Sequence, residues 1–174
     1  MSDKPELPHV AIARKYIGTK EIKGVKHNPT ILGLTAKAFA ATGKKSWIHD
    51  DETPWCGSFL GGVFAEAGLG KKIPKEFYRA KEWESAGTKL TRPAYGCVVT
   101  FTRSGGGHVG IVVGKTSNGM LKVLGGNQSD GVNIMDFNPS RVTAFRWISS
   151  GSVPHDHRYA LPVLAAGRIS TNEA

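Results

Sequence analysis

Cysteine is scarce in this chain, with two residues, Cys56 and Cys97, among 174. Two thiols cannot build the disulfide framework of a small secreted scaffold. They could pair with each other, but a catalytic thiol in a reducing compartment is the better reading for Cys56. Long apolar runs are also missing. None approaches the roughly 20 residues that a bilayer-spanning helix needs, so no stable membrane insertion is expected. Internal repeats and low-complexity segments are absent. There is no paired Cys/His finger and no aromatic-rich basic strand motif, so no nucleic-acid partner is expected. The opening Met-Ser-Asp-Lys-Pro-Glu-Leu-Pro lacks an apolar stretch after its positive charge, and no secretory signal is expected there.

Acidic residues are in the minority. Twenty-three Lys and Arg against 14 Asp and Glu give a net charge of +9, which favours a polyanionic partner such as nucleic acid, anionic lipid or a bacterial envelope. Charge alone does not choose among them. A chain of this length with 40% apolar residues can bury one real core but hardly two. We therefore expect a single domain over residues 8–149, followed by an extended or partly mobile tail over 150–174.

Three helices are expected in the first half. Pro8 to Ile17 is amphipathic and is closed by Gly18; Asn28-Pro29 starts a second helix that runs to about Ala41. The third is the organising element. Thr53 suits the N-cap and Pro54 the first helical position, which puts Cys56 in the first turn of a helix closing at Gly68. Its glycines, Gly57, Gly61 and Gly62, each weaken an isolated helix by about 1 kcal/mol, so another layer must approach closely there. A short helix from Tyr78 to Ser85 follows. The texture then changes to β-branched runs over 96–101, 108–113, 121–124, 132–137 and 142–147, separated by Gly-rich turns. Helices followed by short strands read as an α+β fold with an antiparallel sheet.

A thiol at a helix start feels the positive end of the dipole, which favours the thiolate. It becomes a nucleophile only if a base can reach it. His108, after Ser104-Gly105-Gly106-Gly107 and at a strand entry, is the candidate base, and Asn127 in Gly125-Gly126-Asn127-Gln128 is the candidate orienter of its ring. If the strands at His108 and Leu121 are hairpin partners, His108 and Asn127 lie near one edge of the sheet. Taken singly, each residue has a bland reading: a buried core thiol, a satisfied strand-end histidine, a turn asparagine. The three together make the hypothesis.

Pro54-Trp55-Cys56, the run Gly107 to Val113 and Gly125-Gly126-Asn127-Gln128 resemble the CHAP-like, papain-fold peptidoglycan hydrolases of bacteriophage endolysins and bacterial wall enzymes. The likeness covers about Val10 to Ser149. It implies a papain-like arrangement with the nucleophile on a central helix packed on the sheet, Cys56 as nucleophile, His108 as general base, Asn127 as orienter and cleavage of an amide bond in wall peptide. Trp55, Glu21, Asn28 and Gly107 are the candidate substrate-binding positions. Cys97 departs from the family, which often has an acidic residue there. The implied partner is bacterial peptidoglycan, met by a monomer that is made in the host cytoplasm and acts on the wall or periplasm after release.

No cofactor is expected. Some relatives raise calcium for Asp50, Asp51 and Glu52, but three consecutive acids lack the alternating spacing of a calcium loop. Favourable charge at the following helix start is the better reading. His155-Asp156-His157 is read as solvated tail rather than zinc site. The four tryptophans are expected mostly in the core. The alternative function is a catalytically idle wall-binding or virion structural protein of the same fold. Acyl transfer to an amine would use the same three residues.

Overall fold

The computed structural model describes residues 5–171. The first four residues of the amino terminus and the last three of the expected tail lie outside it. Helix α1 is Pro8–Lys15, α2 is Pro29–Ala41 and α3 is Cys56–Glu66. The strands are β1 (Thr88–Leu90), β2 (Val98–Arg103), β3 (Gly106–Lys115), β4 (Leu121–Gly125), β5 (Asn133–Phe137) and β6 (Val142–Trp147). They form one sheet in the order β1-β6-β2-β3-β4-β5, with every pairing antiparallel. This is the α+β, papain-like arrangement expected from the sequence, with the cysteine helix packed on the sheet.

Local chemistry explains the helix ends. The side chain of Asn28 accepts the Thr30 N–H, with Pro29 at the first position where no N–H is needed, so α2 begins where the sequence places it. Residues Cys56 through Phe64 of α3 are all buried. Its glycines are there because other elements come too close for a side chain. A Cβ at Gly57 would fall on the Phe77 carbonyl, one at Gly61 on Ala38, and one at Gly62 on the Leu34 backbone. The crossing of α2 over α3 therefore offsets the helix propensity that the glycines give up.

The start of α3 differs from expectation. Both the N–H and the hydroxyl of Thr53 donate to the Asp50 carboxylate, which holds Thr53 in a turn and prevents it from capping. Trp55 takes the N-cap position without a side-chain capping bond, and Cys56 becomes the first helical residue. The neighbouring acids also do something other than complement a helix dipole. Asp51 is completely buried and accepts the N–H groups of Ile22 and Asn28 and Nδ1–H of His27. Glu52 accepts the Gly24 N–H. Asp51 and Glu52 thus fasten the loop before α2 to the segment before α3, while Asp50 closes the local turn by accepting from Glu52 and Thr53.

In the second half, the expected helix from Tyr78 is a 3-10 helix, Ala80–Ser85, anchored by Trp83, which is fully buried and donates Nε1–H to the Phe77 carbonyl. Trp55 and Trp147 are also buried, but Trp47 is 57% exposed and meets Tyr78 edge-on at 5.2 Å. Strand β1 is an addition, short and held by pairing with β6. After Ser149 the chain runs along the sheet, with bridges from Val163 to Lys115 and from Ile169 to Asp136. There the buried ion pair Lys122–Asp136, at 2.6 Å, takes the Gly167 N–H on its free carboxylate oxygen.

Candidate active site

Cys56 is 5% exposed and lines an open groove of about 370 Å³ with Pro54, Tyr78, Lys81, Arg103 and Gly107. Two walls meet at the sulfur. The start of α3 supplies Pro54 and Cys56, and the segment Tyr78 to Glu82 faces the β2–β3 turn across it. Gly107 is closely approached here: a Cβ would stand 3.1 Å from Lys81 Cγ and 3.2 Å from the Phe101 carbonyl, so any side chain would have to push a neighbour aside.

Burial pushes the Cys56 thiol up. The Val109 N–H, the charge on Arg103 and the N–H groups of Gly57 and Cys56 pull the other way without cancelling it. A helix start by itself favours thiolate, but around the buried Cys56 sulfur desolvation outweighs the dipole. A thiol that rests in its neutral form needs a base at the moment of attack. The candidate base is close along the chain, since the N–H that faces the sulfur belongs to the peptide unit joining His108 to Val109.

His108 is completely buried. Its ring stacks on Phe137 at 5.5 Å and on Phe101 at 6.2 Å, and Nε2 lies 3.0 Å from Gln128 Oε1. The polarity of that bond follows from the far side of the amide. Gln128 Nε2 donates to the carbonyls of Val123 and Asn133 and to Asn133 Oδ1. Its oxygen must therefore face the imidazole as an acceptor, which fixes the proton on His108 Nε2. Nδ1 is then the nitrogen that can accept a proton.

Strands β3 and β4 are the expected hairpin, paired through Ile111 and Leu124. Carried three residues further, that register sets position 108 level with 127. Asn127 is buried beside Gly126 in a left-handed backbone conformation, φ 57°. The bond to His108 Nε2 is nevertheless made by the next residue, Gln128. Ser129 and Asp130 are also left-handed, at 52° and 60°, and Gln128 and Gly131 exchange backbone hydrogen bonds. Three non-glycine residues in that region are costly, and such strain collects where a side chain has to be aimed. The two amides are adjacent in the sequence, and Gln128 is the one hydrogen-bonded to His108 Nε2.

The other candidate binding positions, apart from Gly107, do not line the groove. Trp55 is buried and donates Nε1–H to Glu21 Oε1 at 2.7 Å. Burial raises the Glu21 pKa against that hydrogen bond, and the charges of Asp130, Asp51 and Glu52 raise it further. Asn28 caps α2 and donates its side-chain N–H to the Lys20 carbonyl. These residues brace the entry to α3. Cys97 is buried with no access, and burial pushes its thiol up to about 12. Among the described residues, no group of three or more His, Cys, Asp or Glu side chains is arranged to hold a metal ion.

Comparison with characterised proteins and with solved structures gave no match. The family model of the CHAP domain does match, over residues 48–127. That segment, just under half of the chain, runs from the turn before Cys56 through His108 to Asn127, and over it the chain is similar to the CHAP domain.

Proposed function

We propose that this protein is a peptidoglycan hydrolase of the lysin type, cutting an amide bond in the wall stem peptide through a thioester on Cys56. The observation that carries the reading is the arrangement around the groove. A thiol on the first residue of a buried helix lines an open cleft, beside the peptide unit of a histidine whose tautomer is fixed by Gln128. The CHAP match spans Cys56 and His108 and ends one residue before Gln128.

In this reading the Cys56 proton passes to His108 Nδ1 as sulfur attacks the amide carbonyl. The imidazolium formed is stabilised by its Nε2–H bond to Gln128 and gives the proton to the leaving amine. Water, deprotonated by the same nitrogen, then resolves the thioester. The Cys56 N–H, at the unpaired first turn of α3, is a donor for the tetrahedral oxyanion, an interaction worth about 3 kcal/mol. Gln128 takes the orienting role, and Asn127 helps to hold the loop that aims it. Net charge of +9 suits a polyanionic wall, and the enzyme would act there or in the periplasm.

The test is mass spectrometry of purified peptidoglycan digested by wild type and by Cys56→Ala. New amino termini released by wild type alone are expected, and their masses name the bond. Cells lysed equally by Cys56→Ala would make this a wall-binding protein without catalysis. Conjugates formed when amines are added, in place of hydrolysis, would make it an acyltransferase.

A further inference from the structure

The groove beside Cys56 is strongly one-sided in charge. Arg79, Lys81 and Arg103 line it against a single carboxylate, Glu82. Arg79 has a loose partner in Glu76 at 3.8 Å, both exposed. Lys81 and Arg103 have no carboxylate partner among the described residues. Arg103 is oriented, because its Nε donates to the Gly107 carbonyl at 2.9 Å. That bond uses one donor of five and leaves the outer edge of the guanidinium, the edge that forks onto a carboxylate, without a protein acceptor among the described residues. Its charge also reaches the Cys56 sulfur. The Lys81 stem crosses the space over Gly107, so both cations border the place where a substrate backbone would lie.

Resting on the amidase reading above, we propose that this groove selects peptides carrying a free carboxylate next to the scissile amide, and that Arg103 and Lys81 bind it. A diffuse attraction to a polyanionic wall would not need an oriented guanidinium at the nucleophile. It would be served as well by the exposed lysines elsewhere, such as Lys71 and Lys72. A carboxylate recognised here could be an internal one of the stem peptide or its carboxyl terminus. The two share the same chemistry, and paired substrates separate them.

The experiment uses the whole protein and synthetic stem peptides that differ only in amidation: all carboxylates free, the internal carboxylate amidated, or the terminal carboxyl amidated. Wild type should lose about tenfold in kcat/KM on one of the amidated peptides, the effect of one charge-assisted hydrogen bond. The amidation that causes the loss identifies the source. Arg103→Gln and Lys81→Gln, checked for folding by circular dichroism, should shrink that discrimination, while Lys71→Gln, remote from the groove, should keep it. Cleavage of all three peptides by wild type within about twofold would overturn the inference and leave the amidase reading intact. So would discrimination that survives in both groove variants. Cleavage of none, with purified peptidoglycan also untouched, would overturn the amidase reading and the inference with it.

Discussion

Gln128 holds His108 by a single hydrogen bond, Nε2–H to Oε1 at 3.0 Å, and is itself held by three bonds from its amide nitrogen. The ring is thus oriented by a side chain that cannot turn over. Turning it would set the amide NH₂ against Nε2–H and its oxygen against two carbonyls.

Gln128→Ala should therefore remove the orienting bond and leave the groove alone. The expected outcome is a fall in kcat on the order of 100-fold with KM little changed, since the tautomer and the ring angle are lost but the substrate walls are not. Asn127→Ala is the comparison. It should cost less, and steady-state kinetics of the two variants on one peptide substrate check the order. The reverse order would return the orienting role to Asn127.

The two cysteines should separate under alkylation. Cys56 lines the groove, whereas Cys97 is fully buried with its thiol pushed up to about 12. Near neutral pH, iodoacetamide should modify Cys56 in the native protein, and Cys97 should react only after denaturation. Peptide mapping of the labelled protein reads this directly. Equal rates would mean that the groove does not present the sulfur.

Much of this architecture is legible in the sequence, for identifiable reasons. The second helix begins as expected because Asn28 and Pro29 encode their own cap. Five strands fall near their β-branched runs because burial on the sheet is what those residues satisfy. The misreadings have one physical origin, in side chains that bond at a distance in sequence. Asp50 captures Thr53 and moves the helix start to Cys56. Asp51 reaches back to Ile22 and Asn28, which local charge patterning cannot register. Strand β1 exists only through β6, and the hydrogen bond from His108 to Gln128 is set by a loop with three left-handed residues, which residue spacing alone does not register. Desolvation of Cys56 likewise depends on what packs around the helix, not on the helix.

Alkaline pH should expose Cys97 as a stability determinant. Its thiol is held up to about 12 by burial, against 9.0 in the unfolded chain. The folded protein therefore keeps a proton that the unfolded chain releases. Stability is full below pH 9 and falls as pH rises from there towards 12, by about 2 kcal/mol near pH 10.5. Cys97→Ala should be less stable than wild type at pH 8, from the lost packing, yet show a flatter decline between pH 9 and 10.5. Urea denaturation at pH 8, 9 and 10.5 measures both effects. Parallel declines would remove Cys97 from the alkaline limb.

Asp51 should dominate the acid side. Burial works against its charge, but the N–H groups of Ile22 and Asn28 and the His27 ring outweigh it and hold the carboxyl below its ordinary value. A depressed carboxyl contributes stability above its unfolded pKa and loses it as pH falls through the folded one. Asp51→Ala leaves two backbone N–H groups in the loop before α2 without their acceptor, at a cost of about 2–4 kcal/mol at pH 7. Because that loop carries Glu21 and leads into the cap of α2, the loss should spread to the Trp55–Glu21 bond and the seat of Cys56. Thermal melts from pH 7 down to 3 should show wild type converging on the variant at the acid end. A constant gap over that range would mean that Asp51 acts by shape and not by charge.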